Sequence, residues 1–340
     1  MMQNTKCTVV IPEHNRPLHL KRLLDFYLKY DFNIIVSDSS DREFLYLGDY
    51  KEKIAYRHFP KMPLAEKINA IGHLITTPFI FMCANDDFIV PEAVNKIIYF
   101  LENNIDYISG QGIYVKFDPL KDEIIPQLIY ENMLTEKLDE IKCTDRLSHL
   151  MSSYFQFYYA VFRTEIFNKI YSTVIKEHKT VINNLRLLEI YVSCYSVIEG
   201  KHIIIAELYG VRESIFMSAG AITDKMYHVV SSPKYQTEYR DFIKLLSESI
   251  CEKTALNKIE SENLIVNSVQ IYLKKHYPEK DRVIYLLMRL SNKMIISKLR
   301  RVVSLYIMRK SPKSFPPYID GMNYWNGIKQ HIIAYRSIYK

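Results

Sequence analysis

The sequence predicts an α/β fold, a mostly parallel sheet flanked by helices, with an added α-helical C-terminal region. Three observations carry this. Short β-branched runs alternate with amphipathic stretches through the first part of the chain. An apolar run, Phe79-Ile80-Phe81-Met82-Cys83-Ala84, ends abruptly in Asn85-Asp86-Asp87, as a buried strand does where it leaves the core. From about residue 231 the pattern becomes one of amphipathic helices, with no glycine between Gly220 and Gly321. Two regions are expected, 1–230 and 231–340.

Taken in order, Cys7 to Pro12 reads as the first strand, closed by proline. The polar turn Glu13-His14-Asn15-Arg16-Pro17 follows, and Leu20, Leu23, Leu24, Tyr27 and Leu28 then fall at helical spacing. A second strand, Phe32 to Val36, runs into Ser37-Asp38-Ser39-Ser40-Asp41. This is a βαβ unit with parallel strands, so Asp38 stands at a strand's C-terminal edge. An Asx-turn is the simplest use of that aspartate. A weaker strand near Ile54–His58 and a helix from Leu64 to Leu74 lead to the Phe79 strand.

In an open parallel sheet the C-terminal strand ends face the ligand crevice, so Asp86 and Asp87 would point there. Adjacent carboxylates remain ionised together most easily when a hard cation such as Mg²⁺ or Mn²⁺ lies between them and a phosphate. An acidic turn capping a helix near Pro91 is the plainer alternative.

Composition narrows the class. The 340 residues are 48% hydrophobic, enough for a large core, and no run approaches the roughly 18 apolar residues of a membrane-spanning helix. The N-terminal residues lack the apolar stretch of a secretory signal. The five cysteines are dispersed, without a Cys-x-x-Cys pair, which fits a reducing cytoplasm rather than a disulfide framework or zinc site.

Four segments, Ile-Pro-Glu-His-Asn-Arg-Pro, Ile-Ile-Val-Ser-Asp-Ser-Ser-Asp, Lys-Ile-Asn-Ala and Asn-Asp-Asp-Phe, occur in this order and spacing. Together they resemble the family-2-like glycosyltransferases of GT-A fold, over roughly residues 6 to 215. The resemblance implies a nucleotide-diphosphate sugar donor, a divalent cation, Mg²⁺ or Mn²⁺, and transfer with inversion. It places Pro12 and Asn15 in the nucleotide loop, Asp38 at the donor base and Lys67 near the diphosphate. Asp87 becomes the carboxylate closest to the metal, and Asp86 helps position the ribose or the cation. Asn85 stands where the family commonly has the first aspartate of its motif.

The second half of the domain should hold the base that takes the acceptor's proton. Residues 118–150 read as a loop-rich insertion plus a helix, and Tyr154–Arg163 as an aromatic strand more suited to core than to sugar stacking. Thr164–Tyr171 and a stretch from Asn183 toward Gly200 read as helices, ahead of a strand His202–Ala206. In the resemblance the second helix opens with Glu-Asp, whose second acid is the base. Glu189 is the positional match, preceded here by Leu188; Glu199 and Glu207 are the alternatives. Arg212, after Tyr209-Gly210, suits a diphosphate contact or a surface ion pair.

Helices are expected over Tyr239–Glu252, Ser261–His276 and Arg282–Met308. Residues 274–340 hold 15 Lys or Arg against three acids, so the chain's net charge of +7 arises in this tail. Its stretch Ile295–Lys310 suits an anionic membrane surface or a helical cap with a solvated basic face. No nucleic-acid-binding module is present. The sequence thus describes a cytoplasmic glycosyltransferase, able to sit peripherally on the inner face of a membrane, with a surface glycan or lipid-linked sugar as acceptor. A nucleotidyltransferase is disfavoured by the glycine-free first loop. A non-catalytic, membrane-associated assembly protein of the same fold is kept open by Asn85 and Leu188.

Overall fold

The computed structural model describes residues 5–134, 136–214, 224–277 and 320–339. A nine-stranded sheet forms the centre of the molecule. Its first half contains β1 (Cys7–Glu13), β2 (Asn33–Asp38), β3 (Ala55–His58) and β4 (Phe79–Met82), all parallel in the order β3-β2-β1-β4. Helices α1 (Pro17–Tyr27), α2 (Leu47–Tyr50) and α3 (Leu64–Ala70) connect them. The helix expected to reach Leu74 ends at Ala70 and tightens into a 3-10 turn over Gly72–Leu74.

The sheet continues through an antiparallel element. After β5 (Phe88–Ile89) and α4 (Pro91–Asn103) comes the long β6 (Tyr107–Phe117), with β7 (Gln127–Ile129) antiparallel beside it. Helix α5 (Cys143–Ser152) precedes β8 (Val161–Arg163), which lies antiparallel between β4 and β6. Two strands antiparallel to β8 must run the same way. β4 and β6 therefore end on the same side of the sheet as β1 and β2.

Helix α6 (Thr164–Thr173), the small hairpin β9 (Ile175–Lys176) and β10 (Lys179–Thr180), and helix α7 (Leu185–Glu199) lead into β11 (Lys201–Glu213). β11 runs parallel to β6, while β5 pairs antiparallel with its last residues. The strand expected over His202–Ala206 is thus longer, crossing register shifts to reach Glu213. Arg212 sits on the strand's end rather than in a loop beyond it.

The aromatic stretch differs from expectation. Only Val161–Arg163 forms a strand, and Tyr154–Ala160 is irregular backbone whose polar groups find side chains instead of a ladder. Phe157 N donates to Ser193 Oγ at 3.2 Å, and Gln111 Nε2 donates to Gln156 O at 3.0 Å. Phe155 and Phe157 are fully buried, and His202 stacks on Phe157 at 3.9 Å. The segment is core.

Helices α8 (Met226–Ser231), α9 (Gln236–Lys253) and α10 (Lys258–His276) follow; α9 packs on α7 and α10, and α10 on α5. Asn257 and Glu260 form a capping box that starts α10. Helix α11 (Met322–Ala334) buries Trp325, Ile328 and Ile332, and the bond from Leu208 N to Asp320 O, 2.8 Å, anchors its entry to β11. The helix expected over 282–308 and the basic stretch 295–310 lie outside the described residues. Among the described residues, no helix is long and apolar enough to cross a membrane.

Gly210 is a point of close approach between β11 and β6. A Cβ there would lie 2.1 Å from the ring of buried Tyr114. Gly210→Ala should therefore cost about 1–3 kcal/mol in urea denaturation, the range typical of overpacking. Gly48, with nothing within 4 Å of its Cβ position, is the control, and its alanine variant should match or exceed wild-type stability.

Candidate active site

The C-terminal edge of the sheet gathers residues from five strands. At the end of β1, Asn15 takes a left-handed conformation, φ 55°, which asparagine tolerates better than most residues. Its amide donates to Ser40 Oγ at 2.7 Å, and its side chain accepts from Asp41 N at 3.1 Å. Pro12 is half-buried opposite Ser37 in the β1–β2 pairing. Asp38 accepts from Ser40 N at 2.7 Å, closing an Asx-turn, and from the Tyr56 hydroxyl at 2.6 Å. It is 1% exposed, so its surroundings are largely complete.

Lys67 reaches this loop from α3. Its ammonium donates to Glu13 O at 2.6 Å and Ser39 Oγ at 3.0 Å, tying the ends of β1 and β2 together. Burial pushes its pKa down to about 8, although the nearby Asp38 and Glu13 carboxylates oppose that shift.

The carboxylates follow β4. Asn85 does not face the crevice: its amide donates to buried Glu13 Oε2, while Glu13 Oε1 accepts from Arg16 N at 2.6 Å. Burial raises the Glu13 pKa against these two bonds. An aspartate at 85 would set a second carboxylate against Glu13, which accounts for the amide. Asp86 pairs with Arg16 at 2.5 Å. Asp87 accepts from Glu213 N at 2.9 Å and lies 3.4 Å from Arg212 Nε. Burial, helped by the Asp86 charge, pushes the Asp87 carboxyl up to about 7 against the pull of Arg212.

Glu189 arrives on α7. Asn184 caps that helix by accepting from the Arg186 and Leu187 amides, so Glu189 falls in the following turn. Both its oxygens lie near Arg186 Nη1, at 3.1 and 3.2 Å. Arg212 lies within electrostatic reach of Asp87, Tyr130 and Glu189 together, and donates to the Tyr130 hydroxyl at 3.2 Å. Leu188 is buried, so position 188 faces the core, where an ionised acid would be costly. The alternatives are committed elsewhere: Glu199 to Lys169 and Lys253, Glu207 to Lys96.

Four site residues had not been singled out from the sequence. Arg16 and Arg186 carried a legible signal, one beside Asn15 and the other three residues before Glu189 on the same helical face. Tyr56 and Tyr130 carried none, since only the sheet brings them to Asp38 and Arg212.

No family model and no curated protein matches the sequence. Solved structures do match. TarS from S. aureus superposes with a TM-score of 0.53 at 12% identity, over 81% of this chain. The chain carries a GT-A glycosyltransferase fold. The match covers 44% of the TarS chain, so this protein corresponds to less than half of it. TarS 1–349 in complex with UDP-GlcNAc aligns over 79% of this chain and 73% of its own, TM-score 0.52, 13% identity. The same fragment in complex with UDP aligns over 98% and 90%, with the same TM-score and identity. At such identities the common feature is the GT-A fold.

The raised Asp87 pKa predicts a pH dependence of stability. Between about pH 4, where an unfolded aspartate ionises, and about 7, the native state holds a proton that the unfolded state has lost, so this group's contribution falls as pH rises. Urea denaturation in a chelator should show Asp87→Asn gaining on wild type between about pH 5 and pH 8.

Proposed function

We propose that the protein is a glycosyltransferase that moves a sugar from a nucleotide-diphosphate donor to an acceptor hydroxyl, with inversion at the anomeric carbon. The observation that carries this reading is Arg212, a part-exposed guanidinium that pairs with Asp87 at 3.4 Å and lies within electrostatic reach of Glu189. It relates the Asp87 carboxylate at the strand end to Glu189 on α7. The binding of UDP-GlcNAc and UDP by TarS 1–349, which shares the fold, supports a nucleotide-sugar donor.

The donor's nucleotide would lie along the loop of Pro12 and Asn15. Asp38, closed off by Ser40 and Tyr56, would shape the loop that receives the base. As the bond from the anomeric carbon to the diphosphate oxygen breaks, negative charge grows on the leaving group, and Arg212 and Lys67 would stabilise it. Glu189 would take the proton of the acceptor hydroxyl as its oxygen bonds to the anomeric carbon. Arg186, bound to both Glu189 oxygens, fixes the orientation of that carboxylate.

A Mg²⁺ or Mn²⁺ fits only as an ion shared with substrate. Among the described residues there is no group of three or more His, Cys, Asp or Glu able to hold one. Asp87, with Asp86 beside it, supplies the one or two carboxylates that such an ion needs when diphosphate oxygens and water complete its shell. When bound, the ion would add positive charge at the leaving diphosphate. An acceptor on a surface glycan or lipid-linked sugar, in polysaccharide synthesis at the cytoplasmic face of a membrane, accords with the excess of basic residues in 274–340.

A thermal-shift screen against UDP, GDP, CDP, CMP and dTDP, each with and without Mn²⁺, tests the donor class. One nucleotide should raise the melting temperature in a metal-dependent manner, and Asp87→Ala should lose the shift. Glu189→Gln should retain donor binding and lower transfer by about 10²–10⁴-fold, the range for a lost general base. Wild-type turnover in Glu189→Gln would remove it from the mechanism.

A further inference from the structure

The carboxylate loop is held from behind by a network that ends in the C-terminal segment. Arg22, on α1, is completely buried, with its guanidinium 4.9 Å from the centre of the Phe88 ring. One arm donates to the carbonyl of Asp86 at 2.9 Å. The other donates to Glu213 Oε2 at 2.7 Å and to the Tyr339 hydroxyl. Tyr339 in turn donates to the same Glu213 oxygen, and His19 lies 3.6 Å from the other. Burial would raise the Glu213 pKa, but His19, Arg22 and Tyr339 together hold it below the usual carboxylate range.

The backbone of Glu213 donates to Asp87, and its neighbour Arg212 pairs with the same carboxylate. One residue therefore touches the Asp87 carboxylate through its amide and the Arg22–Tyr339 pair through its side chain. The segment carrying Tyr339 is itself docked: Tyr335 bonds Asp25, His331 bonds Arg22 O at 2.8 Å, and Arg336 bonds the carbonyls of Pro119 and Lys121.

We infer that Arg22 and Tyr339 are positioning residues of the donor site, holding the Asp86–Asp87 loop and the Arg212–Glu213 strand end in one fixed relation, and that the C-terminal segment is therefore part of the catalytic machinery. Arg22 bridges the loop and the strand end directly. Tyr339 satisfies the shared oxygen of Glu213 and keeps the ion pair closed. A buried, charge-assisted network of this kind has one well-satisfied arrangement, and removing a member frees its partners to move. The assignment of these groups as donor-site machinery rests on the function proposed above. The fixed geometry does not.

The test compares Tyr339→Phe with Tyr335→Phe in the full chain. Both remove a single hydroxyl from the docked segment, but only Tyr339 reaches Glu213. Hydrogen exchange of peptides spanning 84–89 and 210–214 should accelerate in Tyr339→Phe and match wild type in Tyr335→Phe. With the donor found by the nucleotide screen, kcat/KM should fall about tenfold in Tyr339→Phe, equivalent to about 1.4 kcal/mol, mainly through donor KM. Arg22→Lys, which keeps the charge but not the planar fork, should show the same pattern. Wild-type exchange in both peptides of Tyr339→Phe would overturn the inference even if the protein turns over donor. Faster exchange there, in a protein that binds no nucleotide, would uphold the fixed geometry and instead refute the donor-site reading.

Discussion

Carboxylates brought to the end of a buried sheet must each meet a cation or a set of donors, because an ionised oxygen left dry and alone is too costly to keep. At this edge Asp86 meets Arg16, Asp87 meets Arg212 and Glu213 meets Arg22. Glu13 is satisfied by the Asn85 amide and the Arg16 backbone. These partners come from the turn between β1 and α1, from α1, from the turn after β4 and from the end of β11. Satisfying the acids therefore fixes how the two halves of the sheet meet.

The same constraint explains both departures from the glycosyltransferase pattern. Asn85 is an amide because it donates to Glu13, buried beneath it, where a second carboxylate would have no donor to offer. Leu188 is apolar because its position on α7 turns into the core, whereas Glu189, one residue on, turns toward Arg186 and Arg212. Neither change removes a group from the crevice. The retained acids have a charged partner and a direction, which accords with a working site.

The helical C-terminal region is joined to this edge. α9 packs on α7, the helix that carries Glu189, and α11 lies against β11 and α1, bringing Tyr339 to Arg22 and Glu213. A mutation far along the chain can thus reach the carboxylates through packed elements with few alternative arrangements.

Local patterning determined a good deal. The first βαβ unit, the strand before Asp86-Asp87, the helix bearing Glu189 and the helices α9 and α10 were legible, because each signal lies within a few turns or a single strand. The segment Tyr154–Ala160 was misread as strand because aromatic content marks burial, while a ladder requires a partner with a matching edge. Tertiary structure alone decided the direction of β8, the extension of β11 to Glu213, and the partners of the charged groups. Charge pairing depends on distance in space, and residues 16 and 86, 87 and 212, or 22, 213 and 339 become neighbours only when the sheet closes. The sequence determined which groups are present; the fold decided which of them meet.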